Sequence, residues 1–166
     1  MKTTLLILVN LSTIILGMIF LYSELKGYGK RLKFTRTSTR YNLPTRGTKY
    51  SAGHDFYLPC DVLIDNGTQV IIDTGVKSTI PEDHVLLLFP RSSIGIKNNL
   101  MLGNSTGVID SDYKDTIKIA LYNYGTDPVL LRKGERFVQG VCVPYITTKD
   151  EPLNKTRTGG VGSTGR

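Results

Sequence analysis

From Arg31 to Tyr145 the chain meets its apolar residues in short bursts, and this pattern narrows the folds open to it. The bursts are RLKFTR (31–36), HDFYL (54–58), TQVIID (68–73), HVLLLF (84–89), TIKIALYNY (116–124), PVLLR (128–132) and RFVQGVCVPY (136–145). Each is rich in Val, Ile, Leu or aromatic residues and is bounded by Gly, Pro, Asn or Asp, as strands between turns are. In TIKIALY, Ile117, Ile119 and Leu121 share one face, the alternation of a half-buried strand. No helical stripe of useful length interrupts the series. Many short strands at close spacing predict an all-β domain, a jelly-roll-like barrel or sandwich.

The 166 residues suffice for one such domain plus an appendage. A formal charge of +7 would suit a nucleic-acid binder, but its distribution does not. Residues 1–49 hold nine Lys/Arg against the single acid Glu24, whereas residues 50–166 hold twelve against thirteen acids. A groove that tracks a phosphate backbone needs basic residues clustered in the body, so no direct nucleic-acid binding is expected. Cys60 and Cys142 sit apart in apolar surroundings, with neither disulfide nor zinc spacing. Both are expected to be small core residues in a reducing compartment. His54 and His84 are too scattered for a metal cluster.

Residues 3–22 (TTLLILVNLSTIILGMIFLY) carry no charge, with Asn10 the one awkward residue. Twenty such residues are about the length that spans a bilayer as a helix, so a membrane anchor is expected there. The basic flank after it, with Lys26, Lys30, Arg31, Lys33 and Arg36, would keep the body cytoplasmic. A cleaved signal peptide usually has a shorter apolar core and a small-residue cleavage site. A buried core helix would need a large partner, and a start at Met18 would give a soluble cytoplasmic chain. The expected organisation is a hydrophobic segment and linker over 1–29, a β domain over 30–150 and a glycine-rich arm over 151–166.

The stretch TGVIDSDYKD (106–115) ends a short strand-like run with an acid, a tight turn and an aromatic. Alone it could be a plain hairpin, since Asp and Ser favour turns. Its neighbours say more. AGHDF (52–56), PRSSIGIK (90–97), GNSTGVIDSDY (103–113), GERFVQG (134–140) and RTGGVGSTG (157–165) occur in this order with ordinary loops between them. Together they resemble the five motifs of the trimeric deoxyuridine triphosphatases (dUTPases), over about residues 30–166.

The resemblance implies hydrolysis of dUTP to dUMP and pyrophosphate by a homotrimer with Mg²⁺. It makes Asp110 the catalytic base, since a carboxylate charged near neutral pH can accept a hydrogen bond from the attacking water. Tyr113 would pack under the deoxyribose and leave no room for a 2′-hydroxyl; the plainer alternative is a core tyrosine. The backbone of Gly107, Val108 and Ile109 would line sugar and base, with Asn104 and Lys118 as further nucleotide contacts. Arg91, Ser92 and Ser93 would grip phosphates, a task that suits a guanidinium, although PRSS could also be a mere strand end. Gln139 would help to hold the α-phosphate region, and Arg136 reads as a structural ion-pair partner. Asp55 would touch only waters around Mg²⁺, an ion that keeps several waters and binds largely through substrate phosphates.

In the tail, Arg157, Val161, Gly162 and Ser163 would close over another subunit's site. The run is no P-loop, because no Lys follows its glycines. Two positions depart from the family pattern. Val161 stands where the family has a Phe that stacks on uracil, and Asp115 stands where it has Gly. Two rival functions share the fold: a dCTP deaminase, and a catalytically weak membrane-tethered dUTP-binding or regulatory protein. Deamination would need an acid on the strand after the Asp110 turn, where this chain has Ala120.

Overall fold

The computed structural model describes residues 12–22, 31–148, 157 and 159. The chain divides into two units, residues 1–31 and 32–166. In the first, residues 12–22 form a helix, α1. The expected membrane anchor is corrected here: among the described residues no helix is long and apolar enough to cross a membrane. Residues 3–11 of the expected span, the linker up to residue 29, and Val161, Gly162 and Ser163 lie outside the described residues.

In the second unit the strands are β1 (Lys33–Arg36), β2 (Thr45–Arg46), β3 (His54–Tyr57), β4 (Val62–Ile64), β5 (Gln69–Asp73), β6 (Val76–Thr79) and β7 (His84–Pro90). After the short helix α2 (Ser92–Asn98) come β8 (Leu100–Leu102), β9 (Gly107–Ile109), β10 (Lys118–Asn123), β11 (Val129–Leu131) and β12 (Arg136–Pro144). All seven apolar bursts contain strand. The helix was not expected; only Ile94 of it is buried, too little for an apolar stripe to show in the sequence.

The strands pair in four sheets, ordered β2-β3-β12-β7-β9, β5-β10-β8, β1-β6 and β11-β4. Among the described residues the sheets do not close into a barrel, so the fold is mostly-β and open. The large sheet is antiparallel throughout, and β12 is its centre, paired with β3 on one side and β7 on the other. Gly140 lets that packing be close. A Cβ there would sit 2.9 Å from Leu86 Cδ1 and 3.1 Å from Phe56 Cε2, so both side chains would have to give way.

The core gathers Phe56, Leu58, Ile64, Leu86, Leu88, Leu100, Leu102, Leu131 and Phe137, all nearly inaccessible. Each such side chain contributes about 1.5–3 kcal/mol on burial. Ile117, Ile119 and Leu121 bury one face as expected, with Asn123 continuing it. The Asn123 amide satisfies its polar atoms: Nδ2 donates to the carbonyls of Ile64 (3.0 Å) and Asp127 (2.8 Å), and Oδ1 accepts from the Gly125 N–H (2.9 Å). The cysteine expectation needs correction at one position: Cys142 is half-buried, but Cys60 is exposed. A turn location, not the core, explains Cys60, which lies between β3 and β4.

Candidate active site

The sequence-predicted residues assemble in two groups. The first lies on the large sheet. Asp55 of β3 stands opposite Gln139 of β12, which stands opposite Phe89 of β7, and Arg91 follows the end of β7 directly. Antiparallel pairing thus sets residues 84 positions apart in sequence side by side in the middle of the sheet. Asp55 is only 7% exposed, and a buried carboxylate needs partners. Its Oδ1 accepts from Arg91 Nε at 3.1 Å and its Oδ2 from Arg136 Nη1 at 3.2 Å. Arg91 also donates from its backbone N–H to the Phe137 carbonyl at 3.0 Å. Arg136, read from sequence as an ion-pair partner, is one. Together with Ser92, Gln139, Gly47, Ser51 and Gly53, these residues line a polar cleft of about 190 Å³. Two guanidiniums against one carboxylate leave it net positive, which suits an anion. Ser93 is half-buried in the first turn of α2.

The second group is the Asp110 turn. The Tyr113 N–H donates to the Asp110 carbonyl at 3.1 Å and closes the turn seen in the sequence. The flanking strands do not pair with each other, however: β9 joins β7, while β10 joins β5 and β8. The stretch is therefore a bridge between two sheets, not a ladder hairpin. Gly107 and Ile109 are buried, Val108 is 58% exposed, and Asp110 is exposed. Asn104 is exposed in the preceding turn. Tyr113 is buried among core residues, and its hydroxyl donates to the Thr116 carbonyl at 3.0 Å. Burial, together with the carboxylates of Asp115 and Asp73, pushes its phenol above the ordinary tyrosine value, so it stays a donor.

Arg157 completes this group. Its Nη2 pairs with Asp110 Oδ2, its Nε donates to Asp112 Oδ1 at 2.9 Å, and its guanidinium lies 5.6 Å from the Tyr113 ring centroid. The sequence reading sends this arm to another subunit; here Arg157 meets the two carboxylates and the ring on its own chain. Asp112 was not singled out from sequence, where it reads as an ordinary turn residue.

Asp115, the departure from glycine, is accommodated without strain, because its φ is not positive. Its Oδ1 accepts from the Thr116 N–H at 2.8 Å and its Oδ2 pairs with Lys118 Nζ at 3.1 Å. These bonds hold its carboxyl below the ordinary aspartate range, the Thr116 N–H contributing most. The Lys118 side chain is thus engaged locally.

The two groups stay apart within the chain. Ile109 stands opposite Leu86, and Arg91 lies five residues further along β7. At about 3.4 Å per residue that is about 17 Å, with Asp110 one residue beyond Ile109 on the far side. A larger hollow of about 360 Å³, between the end of α2 and β11, contains none of the expected site residues.

Residues 39–165 match the family model described as dUTPase. The chain belongs to the dUTPase family. It is 39% identical over 132 residues to the deoxyuridine 5'-triphosphate nucleotidohydrolase of Lactococcus lactis subsp. lactis, covering 75% of this chain and 88% of that one. It is 45% identical over 105 residues to the enzyme of the same name from Escherichia phage T5, covering 60% and 70%. Among solved structures, the Streptococcus mutans dUTPase superposes with a TM-score of 0.64 at 36% identity, over 70% of this chain and 98% of that one. A mutant of the Staphylococcus bacteriophage 80alpha dUTPase with dUpNHpp gives 0.67 at 25% identity, over 82% and 99%. For a dUTPase-family chain, the Asp110 turn and the Arg91 cleft are the two places where the motif residues gather.

Proposed function

We propose that this dUTPase-family chain is a dUTP diphosphatase, cleaving dUTP between the α and β phosphorus to give dUMP and pyrophosphate. The reaction limits uracil entry into DNA and supplies dUMP. The reading rests above all on the Asp110 turn, where an exposed carboxylate stands beside a buried tyrosine and an arginine. Asp110 orients a water toward the α-phosphorus and takes its proton. Arg157 exchanges Asp110 for phosphate oxygens as the triphosphate binds, which frees the carboxylate for that water. The strand segment Gly107, Val108 and Ile109 reads the uracil edge through backbone groups and excludes a thymine methyl by fit. Tyr113 supplies the floor under the deoxyribose, and Asn104 and Lys118 flank the nucleotide.

Phosphates are held by Arg91, by the hydroxyl and N–H groups of Ser92 and Ser93, and by Gln139. Mg²⁺ fits this site only as a companion of the substrate. Among the described residues no group of three or more His, Cys, Asp or Glu could hold a metal, and Asp55 already serves two arginines. The remaining lone pairs of Asp55 could meet the waters of such an ion, which would supply charge neutralisation for the phosphates when bound. The separation of about 17 Å along β7 supports a site completed by a second copy, within a homotrimer. The arm, carrying Val161, Gly162 and Ser163, closes over a neighbouring subunit's site, where Arg157 would meet the carboxylates and ring it meets here.

The test is Asp110→Asn. Turnover should fall by orders of magnitude, while thermal stability and dUTP binding stay close to the parent's, because only the base is lost. Near-parental turnover would refute the assignment.

A further inference from the structure

The Tyr113 ring can select a sugar only if it is held at a fixed height, and its own strand does not hold it. The residues after it, 114–117, belong to no sheet. They are fastened instead to the tight turn between β5 and β6, 43 residues earlier in the chain. Thr116 Oγ1 donates to Asp73 Oδ2 at 2.8 Å. The Ile117 carbonyl accepts from the Thr74 hydroxyl at 2.8 Å and from the Thr74 N–H at 3.1 Å, and the Ile117 N–H donates to the Val76 carbonyl at 2.8 Å. The turn itself is rigid. Asp73 Oδ1 accepts from the Gly75 N–H at 2.8 Å, and Gly75 has φ of +66° with the Tyr41 ring where a Cβ would stand. Thr116 then offers its carbonyl to the Tyr113 hydroxyl at 3.0 Å.

We infer that Thr116 and Asp73 are positioning residues for sugar selection, fixing the Tyr113 ring through the chain Asp73 carboxylate, Thr116 hydroxyl, Thr116 carbonyl and Tyr113 hydroxyl. Neither residue needs to touch the nucleotide. Thr116 is only 8% exposed, and its hydroxyl has no other partner among the described residues to fall back on. Loss of that bond frees Thr116 to shift and lets the ring drop away from the space a 2′-hydroxyl would fill. The inference rests on the proposed role of Tyr113 as the floor under deoxyribose.

The experiment compares kcat/KM for dUTP and UTP in the parent, Thr116→Val, Thr116→Ser and Asp73→Ala. Thr116→Val keeps shape and removes the hydroxyl, so the dUTP:UTP ratio should fall about fivefold or more, the factor one buried hydrogen bond represents. Most of the change should lie in faster UTP turnover, with dUTP kcat little altered. Thr116→Ser should restore the parental ratio, Asp73→Ala should lower it at least as far as Thr116→Val because it also loses the Gly75 N–H bond, and the double variant should lose no more than Asp73→Ala alone. A merely structural role would lower stability and leave the ratio untouched. If one variant fails to assemble, the other decides. A discriminating parent whose Thr116→Val and Asp73→Ala variants keep its ratio overturns this inference alone. A parent that takes UTP as readily as dUTP overturns the Tyr113 reading and this inference with it.

Discussion

The distance along β7 gives a test of where the active site is assembled. If Asp110 and Arg91 serve one nucleotide, either a single chain or two copies must bring them together. Leu86 faces Ile109, and five further residues of extended chain separate Leu86 from Arg91, about 17 Å at about 3.4 Å each. Two side chains and a bridging phosphate do not span that. Asp110→Asn and Arg91→Ala should therefore each be nearly inactive alone, for different reasons. Arg91→Ala should still fold, because Arg136 keeps its 3.2 Å bond to the buried Asp55. The two variants are then unfolded together in equal amounts and refolded as mixed oligomers. If each site takes Asp110 from one copy and Arg91 from another, about one site in four is intact, since each copy is correct at the required position half the time. Pyrophosphate release should recover to about a quarter of the parental rate. Native mass spectrometry confirms the mixing. Mixed oligomers with no activity above that of the separate variants would refute the shared site.

Val161→Phe should lower the KM for dUTP by restoring an aromatic surface for uracil, with an unchanged or higher KM showing that the arm closes differently. Asn123→Ala should cost about 3 kcal/mol in chemical unfolding, because two carbonyls and one N–H lose their partner in the core; a loss well under about 1 kcal/mol would mean those groups are satisfied otherwise. His54 should make stability pH-dependent. Burial first, then Arg46 across the β2–β3 pair, hold its imidazole below the ordinary 6.5. The unfolded chain therefore binds the proton more readily, so this contribution is complete above about 6.5 and is lost as pH falls below it. Melting temperature should drop between pH 7 and 5.5, and less so in His54→Gln; equal slopes would remove His54 as the cause.

The sequence alone determined the local structure. Short apolar runs between turn residues fix strands, because both signals are properties of neighbours, and all seven runs in the body hold strand. The five ordered motifs likewise fix the family. Short elements escaped. α2 buries one side chain and β2 spans two residues, so neither leaves a period to read. The uncharged run at the front read as a full membrane span because hydropathy reports composition alone; among the described residues no helix is long and apolar enough to cross a membrane. Tertiary structure decided what stands beside what. Only sheet order places Gln139 beside Asp55 while holding Arg91 away from Asp110, and only the packing of two turns ties Thr116 to Asp73. Those contacts join residues tens of positions apart, and their partners are chosen by strand register and shape, which no local pattern encodes.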